Sequence, residues 1–129
     1  MLDQAAKDTL SELKSVLIQA LGQNSVTDDI ADRELMSQDI WAKGTTAELI
    51  AAPRSLDQLV NIFKAASDRG VPLNVRGAGM SYTKGYTPDR EGVVMLDMSK
   101  MNRVIEVNAE DMYVTVEAGC TWNDLHNAV

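Results

Sequence analysis

The sequence predicts a single α+β domain, and three observations carry that prediction. An apolar helical stripe lies near the N-terminus, a well-punctuated strand–helix–strand unit runs from Glu48 to Val75, and two alternating strands follow Asn102, closed by Gly119. The chain has 129 residues, 45% apolar and 24% charged, ordinary values for one globular domain. A fold of this size buries roughly two-thirds of the surface its unfolded chain exposes. No disulfide staple is required, and Cys120 alone cannot form an internal one.

Each element follows from its residues. Leu10, Leu13, Leu17 and Leu21, with Val16 and Ala20 beside them, form one apolar stripe of a helix over Leu2 to Leu21, which Gly22 ends. Residues 23–46 have weak periodicity and many turn formers, and read as a connector with one short helical turn. Its crowded acids (Asp28, Asp29, Asp32, Asp39) lack the alternation and central glycine of a calcium loop, so a solvated acidic connector is expected. The expected division is therefore 1–46, helix and connector, and 47–129, the main domain.

Glu48 to Ala52 is an apolar strand closed by Pro53. Ser55 and Gln58 form a capping box, and Leu56, Leu59, Val60, Phe63 and Ala66 follow a helical period up to Arg69 and Gly70. Pro72 to Val75 resumes an extended run, giving a parallel βαβ unit with a right-handed crossover. Val93 to Asp97 is a buried strand. Arg103 to Asn108 and Met112 to Ala118 make an antiparallel hairpin joined through Ala109, Glu110 and Asp111. After Gly119, Thr121 and Asp124 cap a helix from Trp122 that the chain leaves after two turns at Val129. The domain is accordingly expected to be C-terminally incomplete.

The chemistry is expected in the loop Arg76, Gly77, Ala78, Gly79, Met80, Ser81, Tyr82. Two nearby glycines let the backbone take positive φ, and successive main-chain N–H groups can converge into an anion nest suited to a phosphate or pyrophosphate. Ser81 adds a hydroxyl donor. Arg76 either donates to the anion or braces the loop from behind. A plain glycine turn between strands fits the spacing equally well. The dinucleotide fingerprint needs glycine where Tyr82 stands and a helix at once, and the mononucleotide P-loop needs a Lys after its glycine, whereas Lys84 precedes Gly85. Neither a Rossmann site nor nucleotide hydrolysis is supported.

Charge narrows the partners. With 19 acids against 12 bases the net charge is −7, which disfavours nucleic acid. From Lys64 to Arg103 the balance reverses, with seven bases against four acids, so a small anion is welcome there. No stretch reaches the roughly 18 apolar residues of a membrane span, and residues 1–18 carry no targeting pattern. One cysteine and no signal peptide predict the cytoplasm, with peripheral attachment to the inner face of a membrane left open.

The order Pro72–Gly79, then Val93–Asp97, Asn102–Val107 and Val116–Gly119, extended back through Ala52 and Pro53, resembles the FAD-binding (PCMH-type) domain of the vanillyl alcohol oxidase and para-cresol methylhydroxylase superfamily. The likeness covers about 70% of the chain, from Asp39 to Val129, and is strongest to FAD-linked oxidases such as the glycolate oxidase FAD subunit and D-lactate dehydrogenase. It implies the N-terminal subdomain of such a domain. It also implies FAD as the partner, with Gly77, Ala78, Gly79, Met80 and Ser81 wrapping the pyrophosphate and Arg76 and Tyr82 flanking. Some members attach the flavin through a His after the second glycine. Met80 stands there, so FAD is expected to be held without that bond, non-covalently at the Met80 position. A small 2-hydroxy acid is the implied substrate of the full-length parent enzyme; catalytic residues are not assigned. The alternative is an inactive fragment or assembly module that self-associates through exposed strand edges.

The remaining candidates read as structural. His126 is expected on a helix surface, Cys120 as a small buried side chain, Trp41 and Trp122 as packing anchors, and Tyr82 and Tyr86 as loop-packing residues. No metal site is predicted.

Overall fold

The computed structural model describes residues 1–129. Its elements are α1 (Gln4–Leu21), β1 (Val26–Thr27), α2 (Ile30–Met36), β2 (Leu49–Ala51), α3 (Leu56–Ser67), β3 (Leu73–Arg76), β4 (Val94–Asp97), β5 (Val104–Asn108), β6 (Tyr113–Val116) and α4 (Trp122–His126). Two 3-10 turns, Gln23–Ser25 and Met98–Lys100, complete the chain. The α+β class and its expected elements are present. The connector holds more order than its sequence suggested: α2 and the two-residue β1, neither of which has enough length for a readable period.

A four-stranded sheet has the order β1-β2-β4-β3, with β1 antiparallel to β2 and both β2 and β3 parallel to β4. The predicted βαβ unit is thus parallel, but its strands are not neighbours, because β4 lies between them. The reason is apolarity on both faces: Val94, Met95 and Leu96 are all fully buried, which only a central strand covered on both sides can satisfy. β3 carries Asn74 and Arg76 and takes an edge.

The two-residue alternation sorts the core. Leu49, Ala51, Val94 and Leu96 face α1 and α3 in a cluster of 14 buried residues. Ile50 and Met95 face the other way, against Ala47 and Tyr86. α1 starts at Asp3, whose carboxylate accepts from the Ala6 N–H at 2.8 Å, and stops at Gly22, φ +92°. Its four stripe leucines are all buried, each worth about 2 kcal/mol against exposure. α3 is turned from expectation. Ile62, Ala65 and Ala66 are buried, whereas Leu56, Val60 and Phe63 are exposed, since the sheet needs only a narrow small-residue seam. Trp41 and Trp122 are also exposed, at 79% and 86%, so neither is a packing anchor within this chain.

β5 and β6 form a separate antiparallel ribbon with a register irregularity at Ile105. β6 begins one residue later than expected because Met112 takes φ +55° in the turn. The ribbon's open end is tied by Arg103 and Glu117: Nη2 to Oε1 at 2.6 Å, Arg103 N–H to Oε2 at 2.9 Å, and the Glu117 N–H to the Arg103 carbonyl at 2.9 Å. The Arg103 guanidinium bonded to it, with the Arg103 N–H, holds the Glu117 carboxyl below its ordinary 4.5. No helix is long and apolar enough to cross a membrane.

Candidate functional site

β3 ends at Arg76, level with Asp97 of β4, so the glycine loop leaves the sheet at the carboxyl ends of parallel strands, where ligand crevices of such sheets lie. None of the main-chain N–H groups of Gly77, Ala78, Gly79, Met80, Ser81 and Tyr82 donates to a protein acceptor. The next three are all spent. Thr83 and Gly85 donate to Ser81 Oγ at 3.2 and 3.1 Å, and Lys84 donates to Asp39 Oδ2 at 2.8 Å. The loop therefore divides into an anchored half and a half with free donors.

Gly79 is the pivot, at φ +83°. A Cβ there would lie 2.2 Å from Arg76 Nη2, so the guanidinium packs directly beneath the glycine. Arg76 also lies 5.4 Å over the Tyr86 ring centroid, and its Nε is buried without a partner. Of the two roles open to Arg76, the geometry favours the brace. Tyr86 is buried, and its hydroxyl lies 2.9 Å from both the Gly79 and Gln38 carbonyls, which compete for its proton. Asn74 on β3 donates to the Tyr86 carbonyl at 2.8 Å. Gly77 is set by the hairpin end, since a Cβ would stand 3.1 Å from the Ala118 carbonyl oxygen.

The connector reaches the same loop. Asp39 Oδ1 accepts from the Trp41 and Ala42 N–H groups at 2.8 and 2.7 Å, while the Ile40 N–H points to the Ser81 carbonyl at 3.4 Å. Desolvation raises the Asp39 carboxyl, but donation from the Ala42, Lys84 and Trp41 N–H groups and from Ser81 outweighs it, leaving the group below 3.8. Beyond the free donors, Ala78 and Met80 line a cavity of about 520 Å³ whose other walls include Val114, Val116, Trp122 and Leu125. Its character is mainly apolar. Met80 and Tyr82 are exposed, and Cys120 is half-buried rather than fully buried.

Free, adjacent main-chain donors beside an apolar hollow are the features that a cofactor with an anionic bridge and an apolar ring would require. Residues 47–129 match the family described as FAD binding domain. The chain belongs to that family of FAD-binding domains. It is 30% identical over 119 residues to the glycolate oxidase subunit GlcD of Bacillus subtilis, covering 92% of this chain and 25% of that protein. It is 31% identical over 126 residues to a mitochondrial cytochrome D-lactate dehydrogenase of Arabidopsis thaliana, covering 95% and 21%. Its fold matches substrate-bound p-cresol methylhydroxylase with a TM-score of 0.82 at 18% identity, covering 95% and 24%. The superfamily resemblance read from the sequence is borne out. The chain spans about a quarter of the length of these relatives.

The residues present fit FAD on one test of the structure itself: the six donors of Gly77–Tyr82 are unspent at a turn that only glycine conformations permit. What sequence reading missed is the frame around them. Asp39, Gln38 and Tyr86 hold the loop from behind. The Asp39 turn has a local signature, an Asp two and three residues before the N–H groups it accepts, but its link to residue 84 crosses 45 positions and leaves no local trace.

Proposed function

We propose that this chain supplies the pyrophosphate cradle of a flavin-dependent oxidoreductase that oxidises a small 2-hydroxy acid of the glycolate or D-lactate type. The carrying observation is the run of unspent N–H groups from Gly77 to Tyr82. The names of the relatives, a glycolate oxidase subunit and a D-lactate dehydrogenase, support the substrate class. In this reading Gly77, Ala78, Gly79, Met80 and Ser81 hold the diphosphate by main-chain donation, and Arg76 and Tyr82 flank it. When bound, FAD supplies the acceptor for the two electrons removed from the alcohol carbon. The chain's own residues bind and orient: Arg76 and Tyr86 fix the backbone of Gly79, and Met80 and Val116 give the hollow apolar walls. Met80 offers a thioether where the superfamily resemblance places an imidazole in members that attach the flavin, so the cofactor is held without that bond.

The test is to purify the intact protein without added ligand, record its visible spectrum, and precipitate it with acid. Flavin absorbance that passes wholly into the supernatant, together with reduction of the flavin by glycolate or D-lactate, is expected. Colourless protein that takes up no FAD overturns the proposal, and flavin retained in the pellet overturns non-covalent attachment. A second reading rests on the exposed Ile105, Val107, Val114 and Val116: an assembly module that binds no flavin by itself and associates through its strand edges. Light scattering separates the two, since a monomer that binds FAD removes the second.

A further inference from the structure

We propose that Asp39 is a positioning residue for the diphosphate cradle, anchoring the second half of the loop so that the N–H groups of Gly77–Tyr82 stay unspent and aimed at an anion. Asp39 lies outside the segment matched by the family, 47–129, and comes from what the sequence presents as a solvated connector. Its carboxylate divides its work. Oδ1 closes a local turn on Trp41 and Ala42, and Oδ2 reaches across to the Lys84 N–H at 2.8 Å.

Two features show that the long-range bond orders the loop rather than merely decorating it. Lys84 sits at φ +57°, a conformation a lysine rarely adopts without compensation, and a charge-assisted hydrogen bond to its own N–H provides that. The same turn also presents the Ile40 N–H to Ser81 and the Gln38 carbonyl to Tyr86, so three consecutive connector residues meet the loop at three separate points. A carboxylate near an anion site would ordinarily repel the ligand. Here three N–H groups already offset its charge, so it acts as an anchor at little electrostatic cost.

The inference rests on the flavin reading and is tested by Asp39→Asn in the intact protein. The amide is nearly equal in volume and keeps one oxygen for Trp41 and Ala42, but turns an N–H donor towards the Lys84 N–H. FAD affinity is expected to fall about tenfold, as for loss of one charge-assisted bond. In the ligand-free protein, amide exchange is expected to rise at Thr83, Lys84 and Gly85, whose N–H groups are bonded, and to stay unchanged in α1 and β4. Equal FAD affinity in both proteins overturns the role of Asp39 while leaving the flavin reading intact. Absence of FAD binding to the unsubstituted protein defeats the flavin reading itself, and exchange rising throughout the chain reduces Asp39 to general stability. Should the variant fail to fold, the unsubstituted protein still decides: a Lys84 amide exchanging as fast as those of 77–82 overturns the proposal.

Discussion

Gly79 meets two demands at once, a left-handed backbone and room for the Arg76 guanidinium where a Cβ would stand. Gly79→Ala violates both. It is expected to cost about 1–2 kcal/mol in urea-unfolding stability and to weaken FAD by displacing Arg76 from Tyr86, measurable by titration of flavin fluorescence. Unchanged affinity in a folded variant would show that the cradle does not depend on this conformation. Glu117 is a second residue with a measurable signature. Its folded carboxyl value lies below 4.5, held there by Arg103. The sign follows from linkage: the contribution is whole above the unfolded value and is lost as pH falls through the folded one. Urea midpoints taken from about pH 6 to about pH 3 should therefore decline less steeply in Glu117→Gln. At this scale the sequence revealed the loop's glycines but not its brace, because Arg76, Tyr86 and Asp39 meet only through the fold.

Among the elements, those with caps and a long period were readable. The four leucines of α1 and the Thr121–Asp124 capping box of α4 stand where the sequence put them. α3 was readable as a helix but not as to its face. Its apolar residues outnumber what the sheet covers, and the period alone cannot say which of two apolar stripes is buried. The junction between ribbon and sheet is equally a matter of packing. Gly119 has no room for a Cβ, which would meet the Met98 carbonyl oxygen at 1.8 Å and that of Met101 at 2.8 Å. Both obstacles are backbone, so no side chain can swing aside. Gly119→Ala is expected to destabilise by about 3 kcal/mol and to shift the ribbon from the 3-10 turn, visible as lost amide protection at Gly119, which donates to Met101. A loss below about 1 kcal/mol, under the usual overpacking range, would mean that the junction yields easily.

For the whole molecule, the first helix shares one core with the sheet: Leu13 and Leu17 lie in the same cluster as Leu96 and Ile62. Leu13→Ala is expected to lower stability by about 3 kcal/mol in a single transition reported alike by helix and sheet probes. Two separate transitions would show that α1 is an independent unit. Sequence pattern identified the strands but not their order, since an apolar run does not declare which neighbours it will pair with. Only the double-sided burial of Val94, Met95 and Leu96 explains why β4 takes the middle.

That arrangement also sets a timetable. Leu49 and Leu73 each seek a partner in Val94, a residue that leaves the ribosome well after both. During synthesis the two earlier strands must wait with vacant edges while the glycine loop emerges, and the last arrival closes the sheet. Distant pairing of this kind slows folding, so the glycine loop is synthesised before the strand that fixes its base, and the ribbon that walls its far side arrives later still.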